Sequence, residues 1–155
     1  MSMDCVIEIS IPTDNEGFSL LQCSFCGEYF KVKSEDYNDE GILWVFCPNC
    51  GLIAESYLTE EVVELASVMF QNKMENEIYQ GIKKMGRKMG GGSLVSISSQ
   101  RPIPLHESPL YSTIESLAIY YYRCCGRTAK VRPSQKIVGS YCLFCGVRDF
   151  AIEQS

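Results

Sequence analysis

What is scarce in this sequence narrows the reading first. The chain holds a single histidine, His106, so no site built on several imidazoles can form, whether for metal or for acid–base work. No stretch approaches the ~18–20 apolar residues that a membrane-spanning helix needs. The opening segment, MSMDCVIEISIPTDNEGF, has neither a basic n-region nor an apolar h-region, and the expectation is a cytoplasmic protein in a reducing compartment, without a membrane association. There is no Gly-rich phosphate loop, no H-E-x-x-H and no nucleophile motif. The expectation is a protein that is not an enzyme and has no evident small-molecule substrate.

Cysteine, by contrast, is plentiful: nine among 155 residues. In a reducing compartment clustered cysteines point to metal rather than to disulfides. Two pairs stand in the first third, Cys23-Ser-Phe-Cys26-Gly27 and Cys47-Pro-Asn-Cys50-Gly51. Two cysteines separated by two residues can turn both sulfurs toward one ion, so each pair supplies half of a tetrahedral Cys₄ site for Zn²⁺. The glycine after each second cysteine can take positive φ and close the tight turn that follows. The competing reading, a redox C-x-x-C, normally appears once and opens a helix after a strand.

The last third carries a less regular set. Cys142-Leu-Phe-Cys145-Gly146 is a third half-site, whereas the fourth reads Tyr122-Arg123-Cys124-Cys125-Gly126. Aligning Gly126 with the other glycines makes Cys125 the second ligand and leaves Tyr122 in the first position, where a phenol is no ordinary zinc ligand. The second site therefore has Cys125, Cys142 and Cys145 as candidates, and its fourth ligand is open. Cys124 is the nearest substitute, with His106 and Cys5 as remote ones; the alternative is a degenerate module that keeps its shape by packing alone.

Between the cysteine modules the pattern changes. From Thr59, a candidate N-cap, Val62, Leu65, Ala66, Met69, Phe70, Met74, Ile78, Ile82, Met85 and Met89 recur at three- and four-residue steps, the period of one helix face. Acids open this segment, Lys83, Lys84, Arg87 and Lys88 close it, and Gly90–Gly92 stop it. Gly81 and Gly86 are candidate bends. SLVSIS reads as a short strand and RPIPLHESPL as an extended proline-rich linker. Strands are expected at FSLLQC, EYFKVK, ILWVFC and LIAESYL in the first module, and at ESLAIYYYRC, KIVGSYC and VRDFAI in the second, with an acidic loop at Ser34–Gly41.

Paired C-x-x-C-G knuckles, each set between β-prone runs, resemble the zinc-ribbon superfamily, and the whole order is similar to small bacterial tandem zinc-ribbon proteins with a long connecting helix. The resemblance implies a small α+β zinc-binding protein, two β-rich zinc ribbons joined by a long α-helix and a proline-rich linker. The expected divisions are 1–58 for an acidic N-terminal ribbon, 59–92 for the amphipathic helix, 93–112 for the linker and 113–155 for a basic, irregular C-terminal ribbon. Zinc ribbons are mostly binding modules, and a closed Cys₄ site leaves no position for substrate.

Two binding roles remain. An adaptor or a subunit of a larger complex would use the lower helix, Ile78, Ile82, Met85 and Met89, toward a protein partner or a second copy. The alternative is nucleic-acid binding through Arg123, Arg127, Lys130, Arg132 and Lys136 among the tyrosines of the last ribbon. Charge bears on both. Residues 1–60 hold eleven acids and two lysines, whereas residues 120–155 hold six bases and two acids. The basic end can therefore meet a polyanion, or it can balance the acidic end of its own chain.

Overall fold

The computed structural model describes residues 6–88, 100–111, 114 and 116–150. Cys5, Met89, the glycine run, SLVSIS and Thr113 lie outside the described residues. The chain divides into two compact units, one formed by residues 1–9 and 63–109 and the other by 10–62 and 110–155. It is a small α+β fold with antiparallel sheet, one long helix and two groups of four cysteines.

The larger unit contains both cysteine modules. Strands β1 (Phe18–Gln22) and β2 (Tyr29–Lys33) flank the first knuckle as a hairpin, with Leu21 opposite Phe30. Strands β3 (Ala118–Tyr121) and β4 (Thr128–Val131) flank the knuckle at Tyr122–Gly126 in the same way. The hairpins join edge to edge through β2 and β4, giving one four-stranded sheet in the order β1-β2-β4-β3. Lys31 faces Lys130 across that seam, and Val32 faces Ala129. The interior is likewise shared: Leu21, Phe30, Val32 and Tyr57 of the first module form one buried cluster with Tyr120, Tyr122, Val131 and Leu143 of the second. Neither module could bury as much apolar area alone. Tyr120 and Tyr122 point inward while Tyr121 is half exposed, the alternation that a strand imposes.

Several expected strands take other forms. Residues 42–46 run without strand pairing, because their partners come from the opposite module and from a side chain: Phe46 N–H donates to the Leu143 carbonyl, and the Tyr57 hydroxyl donates to the Val45 carbonyl. LIAESYL forms no strand either; Tyr57 instead returns its carbonyl to the Gln22 N–H. KIVGSYC begins as a helical turn, and an earlier one, Ser34–Tyr37, opens the expected acidic loop. That second turn, Gln135–Val138, follows Pro133, whose fixed φ suits a helix start. Gly139 at φ 94° then ends it, and only Ser140–Tyr141 pairs, with Arg148–Asp149.

The long helix spans Glu60–Lys88, 29 residues or about 43 Å. The Thr59 hydroxyl accepts the Val62 N–H at 3.4 Å, so Thr59 caps it as the sequence predicts. Gly81 and Gly86 do not interrupt it. In the smaller unit Asn72 holds the proline-rich segment: its amide donates to the Leu105 carbonyl at 2.9 Å and accepts the Leu105 N–H at 2.7 Å. Among the described residues no helix is long and apolar enough to cross a membrane.

Candidate metal centres

Four knuckles share one backbone design. In each, the fifth-residue glycine donates its N–H back to the first residue's carbonyl at 2.9 Å: Gly27 to Cys23, Gly51 to Cys47, Gly126 to Tyr122 and Gly146 to Cys142. The four glycines lie between φ 71° and 73°, a region that costs a residue with a Cβ roughly 1–2 kcal/mol. The Tyr122 knuckle keeps this geometry although its first ligand is gone, so the alignment on Gly126 holds in space.

These turns gather two groups of sulfurs. Cys23, Cys26, Cys47 and Cys50 form one, and Cys124, Cys125, Cys142 and Cys145 the other; within each group the four Sγ atoms lie within 4.8 Å of one another. The Sγ–Sγ distance is 3.8 Å for Cys23–Cys50, and 3.6 Å for both Cys26–Cys47 and Cys125–Cys142. A tetrahedron with metal–sulfur bonds of ~2.3 Å has edges of about 3.8 Å, whereas a disulfide is ~2.05 Å. The spacing fits a shared ion, and all eight thiols are free.

The second group answers the open question of its fourth member. Cys124, not His106, joins the set; His106 is exposed on the linker and neither group contains it. The Tyr122 phenol turns into the core, fully buried, and shares a 2.8 Å hydrogen bond with Ser140 Oγ, which also donates to the Pro48 carbonyl. Burial pushes its pKa far up despite that bond, so it stays a neutral hydroxyl.

The thiols within the two sets are electrostatically unequal. Burial pushes the Cys47 and Cys142 thiols well up, against the pull of backbone N–H groups. Burial and the neighbouring Cys145 and Cys125 sulfurs hold Cys124 at about 11. Against its burial, Asn49 and the neighbouring sulfurs instead lower the Cys26 thiol, and a metal ion among the sulfurs would favour the thiolates by pairing with them.

The two groups are tied to one another by a matched pair of backbone hydrogen bonds. Phe46 N–H donates to the Leu143 carbonyl at 2.8 Å, and Tyr141 N–H to the Pro48 carbonyl at 2.9 Å. Phe46 precedes Cys47 as Tyr141 precedes Cys142, so the bonds are reciprocal. The same aromatic rings lie over the opposite knuckle's glycine: a Cβ on Gly51 would sit 2.8 Å from the Tyr141 ring, and one on Gly146 2.9 Å from the Phe46 ring. No sequence signal marked these contacts, although the matched positions of Phe46 and Tyr141 before their cysteines could have suggested them.

The charge asymmetry is spent largely inside the molecule. Arg127 pairs with Asp36 and, at 2.7 Å, with Asp39; Arg132 pairs with Glu28. Lys130 reaches Asp14 at 2.7 Å and Glu16 at 2.6 Å. Three of the five bases considered for nucleic acid therefore face acids of the first module. Lys136 is exposed on its helical turn, and the Arg123 N–H donates to Asp149. Of the residues considered for a protein partner, Ile78 and Met85 are more than half exposed and Ile82 is half-buried. No family model, no curated protein and no solved structure matches this chain.

Proposed function

We propose that this protein is a non-catalytic zinc-binding scaffold of the zinc-ribbon kind, with one Zn²⁺ on Cys23, Cys26, Cys47 and Cys50 and a second on Cys124, Cys125, Cys142 and Cys145, and that it serves as a protein–protein adaptor. The spacing of the two sulfur sets carries the reading: all four sulfurs of each lie within 4.8 Å of one another, and the Cys23–Cys50, Cys26–Cys47 and Cys125–Cys142 separations match the edge of a Zn–S₄ tetrahedron. Four thiolates per ion close the coordination shell, so the ions would hold the knuckles together and leave no vacant position for water or substrate.

Adaptor function is favoured over nucleic-acid binding by where the charges go. Arg127, Lys130 and Arg132 are held by Asp14, Glu16, Glu28, Asp36 and Asp39, and each pair would have to be broken or shared to reach a phosphate. The helix offers Ile78, Ile82 and Met85 to a partner. The test has two arms. Elemental analysis of reduced protein should find two zinc ions per chain. Affinity capture from cells should recover a protein partner that is lost when Ile82 and Met85 are made polar; saturable, salt-dependent binding to DNA or RNA that ignores those changes would overturn the adaptor role.

A further inference from the structure

The two sulfur sets differ in how well they are enclosed. At the first, both knuckles are regular, Cys23 and Cys47 are buried, and Cys26 is the one exposed sulfur, against two in the second. Asn49 backs this set: its amide oxygen accepts from Gln135 Nε2 at 3.3 Å, which turns the amide nitrogen toward Cys26 Sγ, where it donates. Donors of this sort hold a metal-bound sulfur in place and balance its charge.

At the second set Cys142 is buried and accepts the Cys145 N–H at 3.4 Å, but the rest of this support is missing. Tyr122 occupies the buried first-ligand position and commits its hydroxyl to Ser140. The fourth sulfur comes from Cys124, at the outer tip of the knuckle, the position held elsewhere by Phe25, Asn49 and Phe144. Cys124 and Cys145 are both exposed. Phe144 stands where Asn49 stands in the first module and has no donor to offer; it stacks under the Arg127 guanidinium at 5.0 Å instead. An open groove of about 480 Å³, walled by Leu43, Trp44, Phe46, Arg127 and Phe144, reaches Cys125 and Cys145.

We infer that the second centre is an exchangeable metal site, which gives up its ion to a thiolate or chelating ligand entering by this groove, while the first centre is held as a fixed structural site. This rests on the zinc reading above and adds a division of labour to it. Cys124 and Cys145 release first, because they alone in the second set face solvent. The bland alternative, two equivalent structural ions, would require equal shielding of the two sets.

The experiment uses the full chain loaded with two equivalents of zinc and mixed with excess 4-(2-pyridylazo)resorcinol, a chromogenic chelator. Release should be biphasic, with one equivalent leaving roughly ten- to a hundredfold faster than the other, the range expected when outer supports of a metal site are lost. Cys124→Ser should remove the fast phase and leave the slow one. Phe144→Asn should slow the fast phase, and pulse alkylation read by mass spectrometry should label Cys124 and Cys145 before Cys23, Cys47 and Cys50. Release of both equivalents at one rate overturns the inference while leaving two zinc sites standing, as does a fast phase that survives Cys124→Ser. A chain that takes up fewer than two equivalents overturns the two-site reading itself, and the inference with it.

Discussion

Asp14 offers the most demanding test of how the two modules are joined. Its carboxylate accepts from Lys31 at 3.3 Å and from Lys130 at 2.7 Å, and those two lysines lie opposite one another on β2 and β4. Lys31 is only 3% exposed. Burial opposes ionisation of Asp14, but Lys130, the Phe18 and Glu16 N–H groups and Lys31 outweigh it and hold the carboxyl well below the usual carboxylate range. Asp14→Ala would leave Lys31 charged, buried and facing another ammonium. Breaking a buried pair by removing one partner costs about 3–5 kcal/mol, and because Lys130 keeps Glu16 the lower end, about 3 kcal/mol, is expected. With a urea slope of about 2 kcal/mol/M the midpoint should fall by about 1.5 M.

The assay is urea unfolding of the zinc-loaded protein followed by circular dichroism. The sign of the pH dependence follows from the lowered pKa of Asp14: its contribution is present above the unfolded carboxyl value of about 3.9 and is lost as pH falls below it. Lys130 is raised by Asp14 and Glu16 against its own burial, so its contribution is fully present below about 10.4. The difference between wild type and Asp14→Ala should therefore be flat from pH 6 to 9. Adding Lys31→Met should restore at least half of the loss, since an apolar side chain of similar length no longer needs a counter-charge. A loss under about 0.5 kcal/mol, or no recovery with Lys31→Met, would refute the view that Asp14 neutralises the seam.

Other outcomes can be checked directly. Removing zinc with a strong chelator should unfold the knuckles of the larger unit together, seen as a loss of tertiary circular dichroism that zinc restores. Tyr122→Phe, which removes one hydrogen bond of the buried Ser140 hydroxyl and leaves the one to the Pro48 carbonyl, should lower stability by about 1 kcal/mol without changing zinc content. Gly146→Ala combines a positive φ with a Cβ against the Phe46 ring and should cost about 2 kcal/mol or more by thermal or urea unfolding. Gly86→Ala, in an open helical position, should instead stabilise by up to about 1 kcal/mol.

Much of the candidate site was legible because metal ligation has a short-range grammar. The spacing in Cys23–Cys26 and Cys47–Cys50 fixes which way the sulfurs turn, and the glycine that follows each knuckle locates Tyr122 and Cys125 within theirs. The helix was legible for the same local reason, from Thr59 and the apolar period. What could not be read was pairing between distant residues. β-propensity made ILWVFC and KIVGSYC look like strands, but whether an extended run pairs depends on what lies beside it, and for residues 42–46 that neighbour is Leu143. The opposite charges of the two ends were visible, yet only the β2–β4 register turns them into Arg127–Asp39 and Lys130–Asp14 contacts.

The seam also sets a timetable for synthesis. Lys31 pairs with Lys130, so when the first hairpin leaves the ribosome its partner strand is still about a hundred residues from being made. At ~5–20 residues per second the wait is roughly 5–20 seconds. During that time β2 is a bare edge, with Phe30 and Val32 lacking their cover from the second module. Long-range pairing of this kind slows folding, and a waiting edge invites the wrong neighbour. The nascent chain's defence is its own charge: Lys31 and Lys33 punctuate that edge, and the acids around it repel a second copy of the same half-made protein.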